Sequence, residues 1–198
     1  MNRWVSLALF AWAASAAATE EVSICYNYGC LAQARIAYSD AQLGWVRVRL
    51  AAARDAASER VTLAEVVGRF YAWAGQQSPI WRDKGGDFAD DAVDGRMDCI
   101  DHAVSTTRLL RMIEARGWLK YHRVLDQVRR SFLIMQHYSA AIEEIVPLAE
   151  RDRPRVTQHI GAERGPQRYV VDSWFFDNGA PALIMPVDEW LRGGGPHV

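Results

Sequence analysis

The stretch that most limits the fold runs from 98 to 116. Ile100, Ala103, Val104, Leu110 and Ile113 recur at helical spacing, and Gly117 supplies a C-terminal stop. An amphipathic helix of that length has to bury its apolar stripe against a second layer. Asp98 stands at the N-cap and places Cys99 in the first turn. There the unsatisfied N–H groups and the positive end of the helix dipole favour thiolate over thiol, which makes Cys99 the candidate nucleophile. The competing reading is a small core cysteine, since cysteine is among the most often buried residues.

The second layer is read from the chain after Gly117. Segments 118–125, 132–145 and 168–176 are rich in aromatic and β-branched side chains and predict three strands. The charged stretch 151–165, interrupted by Pro154 and Gly161, is expected to be the loop between the second and third. The expected fold class is therefore α+β, with the nucleophile helix packed on an antiparallel sheet. Upstream, 61–73 predicts a helix that packs on the Cys99 helix, with capping-box spacing at Thr62–Glu65 and a buried stripe of Leu63, Val66, Val67, Phe70 and Tyr71. Segment 51–57 also reads as helical, while 21–28 and 42–50 read as short strands of a small hairpin region. Between 75 and 94 the chain is loop-like and acidic. Without EF-hand spacing, its carboxylates are expected to be solvated groups and caps rather than a metal site.

Residues 1–18 have the layout of a secretory signal: Arg3, an apolar run from Trp4 to Trp12, and small residues ending at Ala18. Cleavage there leaves an exported chain, 19–198, of one domain whose core spans about 60–192. The apolar run falls short of the roughly 20 residues a spanning helix needs, and no later stretch approaches that length. Formal net charge is −1, from 23 basic and 24 acidic residues, so there is no electrostatic footprint for nucleic acid. The compartment that an exported chain enters oxidises cysteines that can meet. Cys25 and Cys30 bracket Tyr26, Asn27, Tyr28 and Gly29, a segment able to turn back, and their pairing leaves Cys99 as the odd thiol.

His137 lies on the second predicted strand and Asp172 on the third, at one level of neighbouring strands. Together with Cys99 they make a triad in which His137 takes the thiol proton and returns it to the leaving group, while Asp172 fixes the imidazole tautomer. His122 is the next candidate base, with the alternative of a hydrogen-bonded core histidine. His102 is one turn from Cys99, too near to leave room for a substrate between them, and His159 and His197 fall in loop or terminal sequence. Three cysteines with no paired histidines at ligand spacing do not make a zinc site.

The order of these elements resembles the transglutaminase-like branch of papain-type folds. Asp98-Cys99-Ile100-Asp101-His102-Ala103 is similar to the helix start of bacterial transglutaminase-like cysteine proteinases, and 169–174 to their final Asp-bearing strand. The resemblance covers roughly 81–190. It departs from the family at His137-Tyr138-Ser139, where His-Ala-Trp is usual, and in the Trp that follows Asp172 rather than preceding it. It implies a papain/transglutaminase-like fold, acyl transfer from an amide of a peptide or protein substrate, and calcium near the nucleophile, held here by Asp98 and Asp101. Two other readings share the Asp-Cys helix start. One is an NlpC-type cell-wall endopeptidase, in which a second histidine usually stands where Asp172 does. The other is a catalytically silent peptide- or protein-binding module of the same fold.

Overall fold

The computed structural model describes residues 19–86, 92–132, 135–145 and 166–196. The expected leader at 1–18, the loop at 151–165, His159 and His197 lie outside the described residues.

The chain opens with an antiparallel hairpin, β1 (Thr19–Tyr26) and β2 (Ala32–Ser39). It continues into α1 (Asp40–Ala51), α2 (Ala56–Gly75), a single 3-10 turn (Pro79–Arg82) and α3 (Cys99–Ala115). The strands β3 (His122–Val124), β4 (Val128–Phe132), β5 (Met135–Glu144), β6 (Arg168–Asp172) and β7 (Leu183–Pro186) follow, and the short helix α4 (Val187–Leu191) comes after them. The second sheet has the order β3-β5-β6-β7, and β4 pairs with the other end of β5. Every pairing is antiparallel, so the expected α+β class with a helix against an antiparallel sheet is what the structure has.

Segment 42–50 is helix, not the expected strand. Ser39 and Gln42 form a capping box at its start, and Leu43, Val46 and Leu50 are buried at helical spacing, whereas Val48 is 65% exposed. The alternation of Val46, Val48 and Leu50 with arginines imitates a strand, but the i, i+3, i+7 set is the one that reaches the core. The capping box of α2 is likewise made by Asp55 and Ser58 rather than by Thr62 and Glu65. The predicted buried stripe of α2 is buried throughout. On α3 the buried face is rotated from the expected one. Ile100 is 37% exposed, while Asp101, His102, Ser105 and Thr106 are buried beside Leu109, Leu110 and Ile113. Those polar side chains have partners inside the fold that no periodicity count can see.

One apolar core joins the first hairpin, α1, α2, α3 and one face of the second sheet, through Tyr169, Val171, Ala140 and Ile142. The alternate residue Val170 faces the other way and packs with Val187 and Trp190 of the α4 segment. No helix of the described residues is long and apolar enough to cross a membrane.

Candidate active site

Cys99 is the first residue of α3, and the preceding segment holds it there. Gly95 has φ +102, and a Cβ at that position would stand 2.1 Å from the Pro79 carbonyl oxygen, so only glycine fits. Met97 is buried and donates its N–H to Asp83 Oδ1 at 2.8 Å. Asp98 then caps α3, with Oδ1 accepting from the N–H groups of Ile100 and Asp101.

The turn of the first hairpin is the other half of this mounting. Asn27, Tyr28, Gly29 and Cys30 all lie in the left-handed region, with φ of 65, 66, 61 and 60. Each non-glycine residue there costs about 1–2 kcal/mol. The offset is that successive N–H groups converge on the start of α3. Gly29 donates to Asp98 Oδ2 at 2.8 Å, Tyr28 to Asp101 Oδ2 at 2.8 Å, and Cys30 to Asp101 Oδ1 at 2.6 Å. Such a concavity of N–H groups suits an anion, and here the anions are the protein's own. Cys25 and Cys30 close the turn at disulfide distance, Cα to Cα 4.7 Å, as their spacing led us to expect.

This geometry bears on the expected calcium. With the Asp98 N–H to Asp101 Oδ2, six backbone N–H groups point at the four carboxylate oxygens of Asp98 and Asp101. Those dipoles present their positive ends where a cation would have to sit. The sulfurs of Cys25 and Cys30, which approach Asp101, are joined to each other. The donor set does not fit calcium.

His137 and Asp172 meet, though not at one level. Ala140 pairs with Val171, so continuing the antiparallel register one step sets Asp172 opposite Ser139, with His137 two residues further along on the same face. The imidazole spans that diagonal, with Nε2 2.8 Å from Asp172 Oδ2. Asp172 is 1% exposed and must be satisfied from within. It also accepts from Trp190 Nε1 at 3.0 Å and from the Trp174 N–H at 3.3 Å. Trp174, Phe175 and Trp190 surround the His137 ring at centroid distances of 4.6, 5.6 and 5.4 Å. The ring is therefore fixed by packing as well as by its carboxylate.

Cys99 is half-buried rather than sealed in the core, and its Sγ lies 3.8 Å from the Gln136 carbonyl oxygen. Cys99 and His137 both line a cavity of about 400 Å³. The remaining described histidines are structural. His122 is buried, with Nδ1 2.8 Å from Glu59 Oε2 and Nε2 3.1 Å from Arg60 Nη1. Because a guanidinium only donates, Nε2 accepts from Arg60 and Nδ1 donates to Glu59, which ties both ring nitrogens into the core. His102 contacts Asp83 Oδ2 at 3.1 Å and Ser173 Oγ at 2.9 Å. Burial pulls its pKa down, and the Asp83 carboxylate, supported by Asp172 and Asp101, outweighs that and leaves it raised.

Trp190, Arg130 and the His102–Asp83 pair were not singled out from sequence. Each joins segments distant along the chain, and an isolated Trp or Arg carries no local mark of its partner. No protein-family model matches the chain, and no match was found among curated proteins or solved structures.

Proposed function

We propose that the chain is an exported cysteine-dependent acyl-transfer enzyme acting on amide bonds, most simply a peptidase, with Cys99 as nucleophile, His137 as base and acid, and Asp172 as orienter. The observation that carries this reading is that His137 commits Nε2 to Asp172 while lining the same cavity as Cys99. With Asp172 accepting the Nε2 proton, neutral His137 keeps its lone pair on Nδ1, the nitrogen able to receive the thiol proton. Sγ attacks the carbonyl carbon of the amide, and Nδ1–H protonates the departing amine. The thioester is then opened by water, or by an amine in transamidation. The positive end of the α3 dipole and the imidazolium both favour thiolate. Fixing the acidic partner on Trp190 and Trp174 means that little reorganisation accompanies proton transfer. The Cys25–Cys30 pair supports an oxidising compartment.

The Sγ contact with the Gln136 carbonyl supports a second reading. A thiol that donates to a carbonyl is a neutral thiol, as a silent binding module would keep it. Iodoacetamide separates the two. On the enzyme reading, Cys99 in the folded protein is alkylated at neutral pH faster than glutathione, His137→Ala slows it by roughly tenfold or more, and Asp172→Ala has an intermediate effect. His122→Ala lowers stability and leaves the reactivity in place. A Cys99 that reacts no faster folded than in denaturant overturns the enzyme reading.

A further inference from the structure

The cavity shared by Cys99 and His137 is lined on its remaining sides by Arg130, Arg192, Trp174, Met135 and Leu191 among others, and no carboxylate of the described residues lines it. Two guanidiniums and no acid, in a space whose volume suits a small ligand or part of a larger one, set its electrostatic character. Arg130 is anchored: Nη1 donates to the carbonyl oxygens of Trp190 at 2.7 Å and Gly194 at 2.8 Å, and its guanidinium stacks 4.6 Å from the Trp190 ring. That leaves Nε and Nη2, in a rigid fork, for another acceptor. Among the described residues, the carboxylate whose charge reaches Arg130 is Asp172, which already serves His137, Trp190 and Trp174. Arg192 is exposed at the C-terminal end of α4. Neither guanidinium forms an ion pair among the described residues. A guanidinium pair beside a nucleophile matches a planar, bidentate acceptor.

We propose that the substrate carries a carboxylate bound by Arg192 and Arg130 beside Cys99, so that the enzyme acts on peptides that present a carboxylate next to the scissile amide. Met135 and Leu191 supply apolar surface for the stem that bears the acid, and Trp174 a flat wall. This inference rests on Cys99 being the reactive thiol of the site, and its test separates the two claims. The carboxylate belongs either to an acidic side chain within the peptide or to a free C-terminus.

Three alkylating reagents of nearly equal size resolve this. N-chloroacetyl-glutamine amide is neutral, N-chloroacetyl-glutamic acid α-amide carries only a side-chain carboxylate, and N-chloroacetyl-glutamine carries only a terminal one. Rates at Cys99 in the folded full chain are divided by rates with N-acetylcysteine amide, a reference thiol without carboxylates, which removes intrinsic differences in electrophilicity. The expected result is that one anionic reagent exceeds the neutral one by roughly tenfold, about what one charge-assisted hydrogen bond supplies. The preferred reagent identifies the side-chain or terminal source. The preference falls as salt rises, because partly exposed charges are screened. Arg192→Gln diminishes the preference, and Arg47→Gln, on α1 and outside the cavity, does not. Equal normalised rates for all three reagents overturn the proposal, as does a preference that survives Arg192→Gln. Normalised rates at or below one speak against an activated Cys99, whatever their ratio.

Discussion

Asp101→Asn tests the mounting of Cys99. In the folded protein burial, followed by the nearby charge of Asp98, pushes the Asp101 carboxyl from 3.8 up to about 6, against backbone N–H groups of Cys30, Asp98 and Tyr28 that pull it down. A carboxyl that holds its proton more tightly when folded contributes stability that is complete below its unfolded pKa and is lost as pH rises through the folded value. The interval from 3.8 to about 6 corresponds to about 3 kcal/mol, of which about 2 kcal/mol falls between pH ~4.5 and pH ~8. Asparagine does not titrate, and it turns an amide toward N–H donors, so the variant is less stable at both pH values by about 1–3 kcal/mol per orphaned donor. The informative quantity is the change in that deficit. Wild type loses its extra stability on going from acid to base and the variant does not, so the deficit should narrow by about 2 kcal/mol at the higher pH. Urea unfolding followed by tryptophan fluorescence, with disulfides kept oxidised, measures it, and titrations common to both chains cancel. A deficit that is constant or widens toward pH ~8 would mean that the N–H groups outweigh burial and that the carboxyl is not raised.

Two further substitutions probe the site and its support. Trp190→Phe keeps a ring beside His137 and deletes the donor to Asp172. It should cost about 2 kcal/mol in urea and shift the pH profile of Cys99 alkylation, whereas a purely structural tryptophan would leave that profile in place. Gly68→Ala would gain about 1 kcal/mol from helix propensity alone. Its Cβ would stand 2.4 Å from the Ala180 carbonyl oxygen, a backbone atom that cannot step aside. The clash should win, giving a net loss of about 1–3 kcal/mol in Tm or urea measurements, and a stabilised variant would show that the 179–180 loop does not hold α2 this closely.

The sequence by itself determined the elements whose signal is local. The start of α3 was legible because Asp98 caps its own helix, and the cysteine pair because the four residues between them can turn back. The buried stripe of α2 was legible because its apolar residues repeat at the helical period. His137 and Asp172 were reachable from strand order, although their diagonal offset came from the register of β5 and β6. Only the tertiary structure decided the rest. Segment 42–50 satisfies a strand pattern and a helix pattern equally well, and packing of Leu43, Val46 and Leu50 selected the helix. The left-handed turn at 27–30, with three non-glycine residues, is unfavourable locally and stands because partners some seventy residues away collect its N–H groups, Asp98 and Asp101 those of Tyr28, Gly29 and Cys30 and the Arg96 carbonyl oxygen that of Asn27. The sequence placed His102 one turn from Cys99, and only the fold brought Asp83 and Ser173 to it from distant segments. In each case a polar or strained group is stabilised by a partner remote in sequence, and neither periodicity nor propensity carries information about a partner that only folding brings near.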